Sequence, residues 1–479
     1  MRLRFLSTRF FITLFISAQA GFTAQSAENT LKNTDASALE RFTLKNGLQV
    51  MLLPDHRAAT AVQMLWLKVG SIDETDGTSG VAHVLEHMAF KGTPSVPEGE
   101  FSKRIAAMGG EDNAFTNYDY TAYYQRVPAA RLHEAMALEA DRLAHLNFSD
   151  SAFGKEIEVI KEERRMRTDD QPRAAMGEMM NAVTYSASPY RRPVIGWMDD
   201  LQRMKAADAR QFHQTWYEPA NAALVIVGDV QPAQVRAWAE ELYGRIPNKA
   251  TMPERKQSAE PAQRGMRRMV FQAVAEQPVV ALAFKIPAFA SAHLPITDKG
   301  AIAQDIYALV MLAEVLDGYE GARLARKLTQ GKNRVADSVS ASAGLLGRGP
   351  ETFTLQGIPA KGKSAAQLEA ALRGEITRIA QAGISAQELQ RVKNQYAAGE
   401  IFKRDSLMGQ AQELGMAWAL GLPAGSSDIL IERLGAVTPA QVQSVAQRYF
   451  GDDELTVGTL VPQTAQAAVS SQIVKIPSQ

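Results

Sequence analysis

The chain has no cysteine in 479 residues. That excludes disulfides, thiolate-held metals and a thiol nucleophile together, so any metal must be held by His, Asp or Glu. It also lacks an excess of either charge. Its 52 basic and 52 acidic residues cancel, which leaves no electrostatic footprint for nucleic acid or an anionic membrane. No zinc-finger or phosphate-loop pattern occurs. Beyond the N-terminus there is no uninterrupted run of about 18 apolar residues, the length a membrane span needs. Histidine is scarce, with seven in the whole chain, so any histidine cluster is informative.

The N-terminus reads as a targeting segment. Arg2, Arg4 and Arg9 form a basic region, a short apolar stretch starts at Phe10, and Ala18-Gln19-Ala20 offers a small-residue cleavage site. Residues 1–20 are therefore expected to be a signal peptide (the alternative cut follows Ala27) and the mature chain to be periplasmic, with no membrane span. A retained N-terminal anchor is the competing reading. Residues 21–38 are polar and read as a disordered leader.

From there the pattern runs twice. Asn46-Gly47 between alternating segments signals a hairpin, 61–69 reads as a buried strand, and a polar loop with Ser79 as N-cap leads into a helix at about 80–90. A helix at 98–108, a strand-like stretch at 113–127, helices at 129–143 and 151–167, a buried strand at 222–228 and a helix at 232–243 complete the first unit. The polar, proline-containing segment 247–265 reads as a linker. Strands at 267–271 and 279–286, a helix at 301–316, strands at 335–343 and 352–358, helices at 364–382 and 386–411, and a strand at 455–460 repeat the order. Clustered rather than alternating elements favour α+β. The expected architecture is two homologous domains, 39–246 and 266–465, each an antiparallel sheet with helices, followed by a tail at 466–479.

The first unit carries the chemistry. His83-Val84-Leu85-Glu86-His87 is an H-x-x-E-H pentapeptide, and on a helix residues four apart share a face. His83 and His87 can thus offer two imidazoles to one ion, with Glu86 beside them, a donor set that suits zinc. The plain alternative is a helix with two unrelated histidines. A catalytic zinc wants a third protein ligand. Glu156, Glu158, Glu162 and Glu163 crowd one later helix, where Glu156 and Glu163, seven apart, share a stripe. A solvated acidic face pairing with Arg164, Arg165 and Arg167 is the competing reading. The corresponding helix of the second unit, 301–316, has no histidine.

With these residues in place the chain resembles the pitrilysin (M16) family of zinc metallopeptidases, in its short bacterial branch related to mitochondrial processing peptidase. Glu163 lies 76 residues after His87 and Glu156 seven before it, which is the family spacing. Asn113-Ala114-Phe115-Thr116, Pro189-Tyr190, Val194-Ile195-Gly196 and the stretch 217–230 extend the resemblance over nearly the whole mature chain. It implies two α/β-roll domains forming a clamshell, one zinc ion held by His83, His87 and Glu163, and Glu86 as the base that deprotonates the zinc-bound water. It further implies a supporting role for Glu156 and a substrate-facing edge strand starting at Asn113 and Ala114. A peptide added to that edge would be bound through main-chain hydrogen bonds.

The chain departs from the family in its second half. The family's arginine and tyrosine, seven apart, hold substrate and stabilise the oxyanion, and they precede a Ser-Val-Ser-like strand. Here Ser338-Val339-Ser340 is preceded by Asp337 at the tyrosine position and Gln330 at the arginine position, while Arg323, Arg326 and Arg334 are out of register. The resemblance therefore implies a zinc endopeptidase for peptides or small unfolded chains that works with a homologous M16-like partner, a heterodimer in which the partner supplies the Arg/Tyr pair. A non-catalytic assembly or peptide-binding subunit, and a self-sufficient homodimer, are the alternatives.

Overall fold

The computed structural model describes residues 39–248, 251–255, 259–423 and 425–463. The expected signal peptide, leader and tail all lie outside them. Strands β1 (Glu40–Thr43), β2 (Gln49–Pro54), β3 (Thr60–Leu67), β4 (Glu111–Thr116), β5 (Thr121–Pro128) and β6 (Ala222–Gly228) form a sheet in the order β1-β2-β6-β3-β5-β4. A second sheet, β7-β11-β8-β10-β9, is built from β7 (Arg267–Val274), β8 (Val279–Ile286), β9 (Ala336–Ala343), β10 (Glu351–Pro359) and β11 (Leu455–Gln463). Apart from β1, the two orders match strand for strand. Each sheet is antiparallel except for one parallel pair, β2 with β6 and β7 with β11. The chain is thus a duplicated α+β protein with two domains.

The helices of the first half are α1 (Val81–Met88), α2 (Glu100–Ala107), α3 (Leu132–His145), α4 (Asp150–Arg164), α5 (Pro172–Thr184), α6 (Met198–Arg203), α7 (Ala206–Trp216) and α8 (Pro232–Leu242). Those of the second are α9 (Ala301–Asp317), α10 (Ala365–Ala382), α11 (Ala386–Lys403), α12 (Leu407–Ala419), α13 (Ser426–Ala436) and α14 (Pro439–Arg448). No helix among the described residues is long and apolar enough to cross a membrane.

Each half has its own apolar core, but each also lends a helix to the other. Helix α5 packs on β7 and β11, where Met176 and Met180 meet Val279, Ala283 and Leu460. In return α12 lies across β3 and β6. Glycine marks the closest approach on both seams. A methyl group on Gly415 of α12 would sit 1.9 Å from the Trp66 ring of β3, and one on Gly458 of β11 would sit 2.3 Å from Met180 Sδ. The rigid Trp66 ring leaves the Gly415 contact no relief without moving the helix, whereas the flexible Met180 thioether at Gly458 can shift.

Several local expectations are revised. The stretch 113–127 is two strands, because the Asn117 side chain accepts from the backbone N–H groups of Asp119 and Tyr120 at 2.8 and 2.9 Å and turns the chain. The long helix expected at 386–411 stops at Lys403, and Ser406 caps a new helix by accepting from Gly409 N. Ser79 is not an N-cap. Gly80 starts α1 with φ 89°, while the Ser79 hydroxyl donates to Asp200 at 2.5 Å. The helix capping is supplied instead by buried Glu74, whose two oxygens accept from Gly80 N and Ala82 N, both at 2.9 Å. The helix expected at 151–167 begins at Asp150, capped by Ser149, and its last turn widens into a π-turn at Arg165–Asp169.

The described part of the 247–265 segment is anchored. Glu260 accepts from the backbone N–H groups of Ser186, Ala187 and Ser188 at 2.8–2.9 Å and from Lys285 at 2.8 Å. Although burial opposes ionisation, Lys285 and these three amides hold its carboxyl at about 2, below the usual 4.5. A depressed carboxyl stabilises the fold above its unfolded value, and that stability is lost as pH falls toward 2. Glu260→Gln is therefore expected to cost on the order of 1–3 kcal/mol at neutral pH. In denaturant titrations compared across pH, the gap to the wild type should close at the acid end.

Candidate metal centre

Helix α1 lies against β4, α4 and α7. Its apolar residues Val81, Val84, Leu85 and Met88 are buried in the first core, which turns His83, Glu86 and His87 toward the cleft with α4. The structure brings His83, His87 and Glu163 together: one ligand atom from each lies within 4.8 Å of the others. His87 Nε2 is 3.3 Å and His83 Nε2 is 3.8 Å from Glu163 Oε2. Glu163 Oε2 is buried and accepts no well-formed hydrogen bond. Two ring nitrogens converging on an orphaned carboxylate oxygen, with no cysteine in the chain, fit a borderline divalent cation such as zinc.

The surroundings tune this cluster. Burial, and then the neighbouring His87, push His83 below the ordinary imidazole value, which favours the neutral form that a ligand must take. Burial also opposes the charge on His87, but the hydrogen bond to Glu156 and the nearby Glu163 carboxylate outweigh it and hold the ring up at about 9. His87 Nδ1 is bonded to Glu156 Oε1 at 2.9 Å, which leaves Nε2 to face Glu163. That is the carboxylate–histidine arrangement by which an outer residue fixes the ring of a metal ligand.

Sequence reasoning missed two supports. Lys91 Nζ lies 2.5 Å from Glu156 Oε2 and offsets its charge; its position four residues after His87 was the available signal. Arg164 is buried and binds Glu178 at 2.7 Å and the Gly196 carbonyl at 2.7 Å, clamping the end of α4 beside Glu163. Arg167, one of the arginines expected to pair with the acidic face, does so with Glu163 Oε1 at 2.7 Å. Of the other acidic residues on α4, Glu158 and Glu162 are exposed and pair with Lys161 and Arg165. The solvated-face reading therefore holds for them, while Glu156 and Glu163 turn inward.

Glu86 is largely buried, which raises its carboxyl above the ordinary value against the pull of a hydrogen bond from Thr116. Asn113 and Ala114 lie on β4, an edge of the sheet that pairs only with β5 among the described strands. In the second half, Asp337 is 2.9 Å from Arg334, and Arg323 grips Glu388 through two hydrogen bonds of 2.6 and 3.1 Å, with Arg326 at 3.6 Å from the same carboxylate. All three arginines near the second-half strand are therefore engaged with acidic partners of their own chain.

A duplicated α+β scaffold with two histidines and a glutamate meeting on one half is the arrangement of a metallopeptidase class. Comparison with known proteins agrees. The Insulinase (Peptidase family M16) profile matches residues 49–197, and the Peptidase M16 inactive domain profile matches 203–396. The chain is 32% identical over 349 residues to the zinc protease PqqE of Helicobacter pylori, covering 71% of this chain and 76% of that protein. It is 24% identical over 437 residues to an Arabidopsis thaliana protein whose name designates it a mitochondrial-processing peptidase subunit beta, covering 88% of this chain and 78% of that one. A crystal structure of a protease from Helicobacter pylori superposes with a TM-score of 0.81 at 29% identity, over 88% of this chain and 99% of that one. The chain belongs to the M16 family of peptidases.

Proposed function

We propose that this chain is a zinc-dependent endopeptidase acting on peptides or small unfolded polypeptides. The observation that carries the reading is the convergence of His83, His87 and Glu163 with Glu86 beside them. A relic kept for shape alone has no need of a buried carboxylate next to the ligand pair. In this reading His83, His87 and Glu163 hold the ion. Bound zinc supplies Lewis acidity, polarising the scissile carbonyl and easing the deprotonation of water. Glu86 takes a proton from the attacking water and returns it to the departing amine nitrogen. Asn113 and Ala114 present the edge of β4 to an extended peptide, which would add to the sheet as a further strand.

The proposed working unit is a pair. Arg323, Arg326 and Arg334 are all engaged within the chain, and Asp337 stands where a donor to the oxyanion is wanted. A homologous partner carrying an arginine and a tyrosine would complete the site, the two subunits closing as a clamshell around a chamber that selects by size. The basic and apolar N-terminal segment with Ala18-Gln19-Ala20 supports export and a periplasmic location.

The test is a quenched-fluorescence peptide assay on the zinc-loaded chain, alone and mixed with a homologous subunit that carries the arginine and tyrosine. Turnover only in the mixture is expected. Full turnover by the chain alone would remove the partner from the proposal, and none in either arm would remove the peptidase. Glu156→Gln is expected to weaken zinc affinity by roughly 10- to 100-fold, because it loosens the ring orientation of His87 without deleting a ligand. Competition with a chromophoric chelator reads this directly.

A further inference from the structure

Glu86 makes a single side-chain hydrogen bond among the described residues: Oε2 accepts from Thr116 Oγ1 at 2.6 Å. Thr116 is the last residue of β4 and shares a face of that strand with Ala114, two residues before it. Its hydroxyl has one proton to give. The neighbouring hydroxyl, Thr121 Oγ1, lies 3.4 Å away directly across the hairpin and donates to the Val69 carbonyl at 3.0 Å. Tyr123 and Tyr217, buried nearby, are bonded to each other at 2.8 Å. The proton of Thr116 is therefore committed to the carboxylate, in a short, partly buried, charge-assisted bond.

We infer that Thr116 is the positioning residue of the base: by engaging Glu86 Oε2 it fixes the carboxylate in one rotamer and leaves Oε1 as the atom that takes the proton. The inference rests on Glu86 being the base. It assigns to the final residue of the edge strand a task in the chemistry, separate from any part Asn113 and Ala114 play in docking. A valine at this position keeps the β-branched shape that the strand requires and removes only the donor. A serine keeps the donor and removes only a methyl group.

The experiment compares the zinc-loaded wild type, Thr116→Val and Thr116→Ser, with partner present if turnover requires it. Thr116→Val is expected to lower kcat about 10- to 100-fold with KM and zinc stoichiometry unchanged, while Thr116→Ser stays within about threefold of the wild type. A merely structural role would not be rescued by serine. Crystal structures of the metal-free proteins give a readout independent of turnover. Glu86 should hold one rotamer in the wild type and in Thr116→Ser, and spread over several in Thr116→Val. The inference is overturned if Thr116→Val keeps wild-type kcat, if valine and serine are equally impaired, or if Glu86 holds the same single rotamer in all three. A Glu86→Gln control that is inactive beside a fully active Thr116→Val would sink this inference alone. Wild-type activity absent under every condition would sink the peptidase reading, and the crystallographic arm would still decide Thr116.

Discussion

Glu86→Gln is expected to keep one zinc per chain and to lose about 10³-fold or more of kcat, within the 10²–10⁴ range of a positioned general base. The side chain is nearly isosteric, and its neutral amide can still meet the Thr116 hydroxyl that now bonds Glu86 Oε2 at 2.6 Å. The fold and the ligand cluster should therefore be undisturbed. Only the ability to take a proton is removed. The loss should fall on kcat and kcat/KM together, since the group acts in the transition state rather than in binding. Metal content by atomic emission and turnover on the same sample check both halves. Activity retained in this variant would show that the base is another group.

Glu163→Gln should give the opposite pattern, losing metal and activity together. The carboxylate oxygen toward which both histidines converge, at 3.3 and 3.8 Å, becomes a neutral amide atom, and two imidazoles alone do not complete a zinc site. The drop in zinc affinity should exceed the roughly 10- to 100-fold expected for the outer residue Glu156. Zinc retained with near-normal affinity would show that the third ligand lies elsewhere. Set side by side, the two variants separate holding the ion from using it.

The parts of the site that were legible were those encoded in helical spacing. A spacing of four from His83 to His87, and of seven from Glu156 to Glu163, each names a face, and the structure joins those two faces. Glu158 and Glu162 could be set apart by the same arithmetic. What could not be read were partners from remote elements: Lys91 on Glu156, Arg164 on Glu178, and Thr116 on Glu86. Ion pairs and hydrogen bonds of this kind leave no periodicity. The fold divides in the same way. Duplication followed from repeated element order, but the breaks at 117–120 and 404–406 use an asparagine side chain and a serine cap where glycine or proline would have announced them. The exchange of α5 and α12 was also hidden, because an apolar helix face says that it is covered and not by which sheet.

That exchange sets a clock on synthesis. The first sheet is complete once Gly228 has emerged, yet its second face waits for α12, which begins at Leu407. The intervening ~180 residues take on the order of 10–35 s at ordinary elongation rates. Through that interval a broad apolar surface around Trp66 has no cover, and its closure joins residues some 350 positions apart in sequence, Trp66 with Gly415. Such long-range closure is slow. A chain truncated before α12 is therefore expected to expose this apolar face and to aggregate instead of standing as a free domain.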